Sequence, residues 1–299
     1  LWTVPNSFVA SANCGLYCGA SIDFVDIDPE TWNISITSLK EKLDKAYSLG
    51  KLPKIIIPVH FGGNPVNQED LYNLVKPFGI KIVEDASHAL GASHKGQPMG
   101  NCHWSDITIF SFHPVKIITT GEGGMALTKN LNLYKKMQLL RSHGITRDPS
   151  SFKNEDFRPW IYEQHVLGFN YRMTDLEAAL GLSQITRLHE YISRRNRLAE
   201  KYNLGFKGLP FKIPKIHVDS VSAFHLYVIC LDNDLPKISG LKARDRLYSV
   251  MLEAGIGVNI HYMPIHLQPY FRKLGFAPGD FPVSESYSER ALTLPLHPS

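Results

Sequence analysis

The chain has 299 residues and a net charge of +4, from 32 Lys and Arg against 28 Asp and Glu. At roughly 150 residues per domain there is room for about two domains and a sizeable core. A 43% apolar and 20% charged content is ordinary for a globular protein and excludes a disordered chain or a small disulfide-stapled scaffold. No run approaches ~18 apolar residues, so a transmembrane helix is excluded and no membrane partner is expected. The weak positive balance argues against a nucleic-acid partner, which calls for a dense basic stripe. The densest basic run, Arg194, Arg195 and Arg197 between Glu190 and Glu200, reads as a solvated helix face. Cys14, Cys18, Cys102 and Cys230 lack the paired spacing of a zinc site. They read as buried free thiols in a reducing cytosol, with no metal expected and a cytoplasmic location.

Trp2-Thr3-Val4 reads as the end of a strand already under way. Residues 22–27 alternate as a short strand does, and 37–49 place Leu39, Leu43 and Ala46 at helical spacing. A continuous apolar strand over 54–60 ends in the turn His60-Phe61-Gly62-Gly63, followed by a helix over 67–77. Strands are predicted over 80–84, 106–112 and 124–128, and a helix over 130–142. Residues 147–165, polar with Pro149 and Pro159, read as a long loop. From Thr174 one helical pattern runs on toward Tyr202. Further on come a strand at 225–231, a helix at 241–254, a strand at 257–262 and a helix near 284–291. Non-alternating apolar strands separated by helices indicate a parallel sheet covered on both faces. The fold class is therefore α/β: a large, mostly parallel lobe over 1–186, then a smaller C-terminal α+β lobe over 187–299.

Open parallel sheets bind ligands at the carboxyl ends of their strands. Two such ends carry unusual polar groups. Val83-Glu84-Asp85-Ala86-Ser87-His88 delivers a carboxylate that needs a cation or several hydrogen bonds once buried; alone it also reads as a helix N-cap. Ser111-Phe112-His113-Pro114-Val115-Lys116, before Thr119-Thr120-Gly121-Glu122-Gly123-Gly124, sets a lysine in apolar, hydroxyl-rich surroundings. Desolvation there would free an amine to form a Schiff base; alone it also reads as a surface lysine in a glycine-rich turn. Together they supply an amine, a carboxylate for a ring nitrogen and a hydroxyl for a phosphate, the set that pyridoxal phosphate (PLP) requires.

These two segments resemble those of the DegT/DnrJ/EryC1/StrS family of PLP-dependent nucleotide-sugar aminotransferases, of fold type I. Pro5-Asn6-Ser7-Phe8-Val9-Ala10-Ser11, Leu140-Arg141-Ser142-His143-Gly144-Ile145, Gly168-Phe169-Asn170-Tyr171-Arg172 and Gly255-Ile256-Gly257-Val258-Asn259-Ile260-His261-Tyr262 are similar to further family segments in the same order. The resemblance implies that Lys116 is the Schiff-base lysine and proton shuttle. Asp85 would pair with the pyridinium, His88 would contact the ring and Ser111 the phosphate, with Phe8 stacked on the ring face. Asn170 would reach the phosphate of a neighbouring subunit, which implies a homodimer with shared sites. Arg172, His261, Tyr262 and His266 would line the sugar-nucleotide mouth, where Arg suits a diphosphate. Other family members are dehydratases with histidine at the lysine position, so Lys116 favours transamination.

Within the family the segments are similar to those of the pseudaminic acid branch. That likeness implies amination at C4 of a UDP-linked 4-keto-6-deoxy-N-acetylhexosamine with L-glutamate as donor. The alternatives are another UDP- or dTDP-linked keto sugar, aminated at C3 or C4, or a truncated, non-catalytic binding module. The family's phosphate-holding Ser/Thr-rich helix start, before the Phe8 segment, and its closing C-terminal helix have no counterpart here. The expectation is therefore a window on a longer protein.

Overall fold

The computed structural model describes residues 1–155, 158–232, 235 and 242–298. Among these the centre is a six-stranded sheet in the order Asp23–Phe24, Trp2–Thr3, Ile55–Ile56, Lys81–Asp85, Ile107–Ser111, Gly124–Leu127. The first five strands run parallel and the last antiparallel. The Ile55–Ile56 strand is short because Pro58 has no N–H to offer a neighbour.

The Ile36–Ser48 helix starts where Ser35 Oγ accepts the Ser38 N–H, and it buries Leu39, Leu43 and Ala46. Gln68–Val75 starts in the same way at Asn67 and buries Leu71 and Val75. Both stripes pack on Val4, Ile56 and Ile82 in one core. Each such leucine removed from water stabilises the fold by about 1.5–3 kcal/mol. That core also takes in Val228, Cys230, Tyr287 and Ala291, from the far end of the chain. A second core joins Ala86, Ala89, Phe110, Phe112, Ile117 and Ile118 to Ile192 and Ala223.

Near the C-terminus, Tyr227–Leu231 lies between Phe211–Lys212 and Ala291–Leu294, antiparallel to both. The helices Ala243–Glu253 and Pro282–Arg290 accompany this sheet. Residue 241, the predicted start of the first of them, lies outside the described residues.

Several sequence expectations change. The helix predicted from Thr174 toward Tyr202 is two, Asp175–Ile185 and Leu188–Gly205. Leu188 and Ile192 pack so closely on Gly91 that a Cβ there would lie 2.7 Å from Ile192 Cγ1, so tertiary packing redirects the second helix. The predicted strand over 257–262 is reduced to a single bridge, Asn259 to Thr293. The last predicted helix is present as Pro282–Arg290, but the strand Ala291–Leu294 that follows it, its four residues all buried against Tyr227–Leu231, was not foreseen. A short apolar run suits helix or strand equally, and its partner decides. The short helix Ala10–Tyr17 was not foreseen, since its small residues carry almost no periodicity. The 147–165 loop folds back, pairing Glu163–Gln164 with Ile145–Thr146.

Two charge and thiol readings also change. Arg195 is buried, not on a solvated face: its guanidinium donates to the carbonyls of Phe224 and Leu296 at 3.0 and 3.2 Å. Cys102 and Cys230 are buried, whereas Cys14 and Cys18 are exposed, and all four are free thiols.

Candidate active site

Adjacent residues of a strand face opposite sides of its sheet, and Glu84 and Asp85 show the consequence. Glu84 is 1% exposed. It accepts hydrogen bonds from the Gln68 amide, Ser105 Oγ at 2.8 Å and Thr108 Oγ1 at 2.6 Å, with His60 Nε2 at 3.6 Å. Burial alone would raise its pKa, but His60, Thr108 and Gln68 more than offset that and hold it below the usual value. Asp85, at the carboxyl end of the same strand, accepts Ser11 Oγ–H at 2.6 Å and the Ser87 N–H at 3.0 Å. Turns rather than a helix follow it, so it is not a helix cap.

The neighbouring strand ends at Ser111, in register with Gly124. Ser111 Oγ accepts the His113 N–H at 3.3 Å, which leaves its own proton free to donate. Lys116 sits in the turn that follows, its N–H on the His113 carbonyl. The turn is pinned by Thr119, which bonds the Phe112 carbonyl at 2.9 Å and exchanges two hydrogen bonds with the Gln184 amide. Burial lowers the pKa of the Lys116 amine, and the Asp85 carboxylate opposes that shift. His113 is exposed.

Three histidines face this lysine. His88 is buried; its Nδ1 accepts the Gly62 N–H at 3.3 Å and its Nε2 lies 3.3 Å from Tyr262 Oη. His225 packs on it with ring centroids 4.5 Å apart. His261 bonds Thr293 Oγ1 through Nδ1 at 2.8 Å. Burial, reinforced by the Lys116 charge, lowers the pKa of all three, that of His261 to about 4. Burial raises the Tyr262 pKa, and Asp85 adds to it.

The structure thus brings Asp85, His88, Lys116, His261 and Tyr262 into one cluster, with Ser111 on the adjoining strand end. Phe8 is 61% exposed, its ring 6.4 Å from that of Tyr262. His266 does not lie at a mouth: it is fully buried, with Nε2 on Glu285 at 2.9 Å and its ring edge-on to Phe281. The packing of the Ile265–Leu267 turn under the Pro5 loop draws it inside. Asn170 and Arg172 are exposed on a segment laid beside Ser142. Among the described residues neither hydrogen-bonds to the Lys116 cluster. Sequence reading missed Ser11, the donor to Asp85, and His225. The only signal for His225 was a titratable residue opening an otherwise apolar strand.

These residues fit PLP. A desolvated amine faces a carboxylate whose two oxygens are held by Ser11 and Ser87, leaving it oriented for a ring nitrogen. The hydroxyl of Ser111 stands at the adjacent strand end, where a phosphate is held in such sheets.

The DegT/DnrJ/EryC1/StrS aminotransferase family model matches residues 2–299. The chain is 38% identical, over 91% of its length and 67% of the relative's, to the UDP-4-amino-4,6-dideoxy-N-acetyl-beta-L-altrosamine transaminase of Campylobacter jejuni. A putative sugar aminotransferase, Spr1654 of Streptococcus pneumoniae in its PMP form, superposes with a TM-score of 0.86 at 30% identity. That match covers 99% of this chain and 76% of that one. PseC of Helicobacter pylori, an aminotransferase involved in the biosynthesis of pseudoaminic acid, gives 0.85 at 30% identity, covering 100% and 74%. A PLP-dependent transaminase of fold type I is the class that this fold and site define. The chain belongs to the DegT/DnrJ/EryC1/StrS family of sugar aminotransferases. Among the described residues no helix is long and apolar enough to cross a membrane.

Proposed function

We propose that the protein transfers the amino group of L-glutamate to C4 of a UDP-linked 4-keto-6-deoxy-N-acetylhexosamine, in pseudaminic acid-type sugar biosynthesis. The observation that carries the chemistry is the desolvated Lys116 amine facing Asp85. The choice of sugar is supported by the 38% identity to the Campylobacter jejuni transaminase.

When bound, PLP supplies an electron sink that lets an amino group and a proton be exchanged at one carbon. Lys116 would hold the cofactor, and its amine of lowered basicity would take and return that proton. Asp85 holds a proton on the ring nitrogen, and Ser11 and Ser87 hold Asp85. Ser111 would donate to the phosphate, Phe8 would stack on the ring and His88 would contact it. His261 and Tyr262 line the sugar side, and Arg172 suits the diphosphate by bidentate pairing. Residues 1–186 then act as the cofactor lobe and 187–299 as the small lobe.

We further assign a homodimer in which Asn170 and Arg172 serve the partner's site. Its support is an apolar face exposed in one copy: Leu167 is 89% exposed, Leu176 85% and Leu182 67%. A patch of this kind marks an interface. The four free thiols support a cytoplasmic location.

The test is to load the protein with PLP and follow the visible band of lysine-bound cofactor, which Lys116→Ala should abolish. UDP- and dTDP-linked 4-keto sugars are then offered with glutamate, and product masses are read. A wild-type protein that binds no PLP would sink the assignment; amination of a dTDP sugar alone would overturn the choice of substrate.

A further inference from the structure

His225 belongs to no motif of the sequence reading, yet it is 8% exposed at the centre of the cluster. The turn at Gly62 and Gly63 explains how it comes there. Both glycines have positive φ, 62° and 93°, a region that non-glycine residues rarely adopt. Gly62 turns its N–H onto His88 Nδ1. Its carbonyl takes the Leu226 N–H at 3.1 Å, and that of Gly63 takes the Ala223 N–H at 2.9 Å. One turn therefore holds His88 on one side and residues 223–226 on the other. Between those two anchors Phe224 adopts φ 41°, a costly conformation for a bulky residue. Arg195 clamps the carbonyls of Phe224 and His225. The outcome is the His225 ring laid on the His88 ring at 4.5 Å and 37°. His225 Nδ1 is buried with no hydrogen-bond partner among the described residues, so the ring holds its neighbour by packing.

The hydrogen bonds around His88 have a fixed sense. A backbone N–H can only donate, so His88 Nδ1 is an acceptor and carries no proton. The ring proton is then on Nε2, which donates to Tyr262 Oη at 3.3 Å; the two ring planes are within 17° of parallel. With Oη accepting from His88, the phenol's own proton is left free to donate. A proton added to Nδ1 would face the Gly62 N–H, donor against donor. Among the described residues, His225, Lys116, His261 and Tyr262 are the titratable groups that act on His88, and the three bases oppose a positive ring there.

The geometry points to His225 as a positioning residue: packed on His88, it holds that ring as the Nε2–H tautomer, so that Tyr262 presents its hydroxyl proton to a ligand oxygen beside Lys116. The ligand half of this statement rests on the cofactor site proposed above; the tautomer half does not.

The test is nitrogen NMR of the imidazoles in cofactor-free protein, with His88 assigned by loss of its signal in His88→Asn. In the wild type His88 should show an unprotonated Nδ1 and a protonated Nε2, unchanged from pH 8 down through the ordinary histidine range. His225→Ala should give a mixture of tautomers that titrates nearer the ordinary value. His225→Phe, which keeps a flat ring, should restore the single tautomer. If His225→Ala does not fold, His225→Gln takes its place, retaining bulk without a ring. A wild-type Nδ1–H, or an Ala or Gln variant with unchanged His88 signals, overturns the assignment. Because these signals are read without PLP, failure to load cofactor counts against the proposed function alone.

Discussion

The Lys116 cleft and the face running from Leu167 to Ile185 are close in sequence terms but opposite in physical character. In the cleft, polar groups are buried and mutually held: Ser11 on Asp85, Gly62 on His88, Gln184 on the Lys116 turn. On the face, Leu167, Tyr171, Leu176 and Leu182 stand in solvent, and Asn170 and Arg172 stand among them without a contact to the cleft. Under the proposed function, a single chain would supply the groups for proton transfer, and a second copy would complete the means of holding a large anionic ligand. In the proposed homodimer, the hydrophobic effect would bury this face rather than the cleft.

The largest expected effect tests this division directly. Lys116→Ala should lower turnover by at least about a thousandfold, and Asn170→Ala by a smaller factor. Mixing the two variants under conditions that exchange subunits should restore about a quarter of wild-type turnover, because each mixed dimer regains one complete site. No recovery in a sample shown by light scattering to exchange would place Asn170 in its own subunit's site. Next, Leu176→Asp combined with Leu180→Asp should convert the dimer to a monomer and cost more than about tenfold in turnover, while the single-chain fold and its circular dichroism persist. A dimer that survives this change assembles through another face.

Smaller effects sharpen the cleft side. Gly63→Ala forces a Cβ to 2.7 Å from the His88 carbonyl and 2.9 Å from the Phe224 nitrogen at φ 93°. It should cost about 1–3 kcal/mol in denaturant unfolding. Glu84→Gln should cost about 1–3 kcal/mol as well, through its buried network, and leave PLP loading intact. Asp85→Asn should weaken loading with little change in stability, so the two neighbours separate structure from function. Finally, His88, His225 and His261 are each less basic folded than unfolded. The unfolded chain therefore binds more protons on acidification, and stability should fall as pH drops below 6.5 toward about 4. A thermal unfolding series that stayed flat across that window would show these rings to be solvated.

Much of the cleft was legible because its chemistry is local. An apolar strand must end somewhere, and a carboxylate or lysine placed at that end is visible as a break in composition; Asp85 and Lys116 were found in this way. His266 was expected at the rim from the family resemblance alone, yet the turn that carries it packs inward onto Glu285 and Phe281. Arg195 looked like part of a solvated stripe, but it holds the carbonyls that present His225. Ser11 and His225 left little trace, because a hydroxyl or a single histidine gains its meaning only from the residue opposite.

The sequence by itself determined the alternation of strands and helices, the polar ends of two central strands and the family to which their spacing belongs. The alternation and the strand ends follow from periodicity and short-range order along one chain, and the family from the resemblance of its motifs. The tertiary structure alone decided that Ala291–Leu294 is a strand, that the helix after Thr174 breaks before Leu188, and that residues more than 100 apart in the chain, such as His88 and His225, share one wall of a site. Such contacts depend on which surfaces close on each other, and no local preference encodes that.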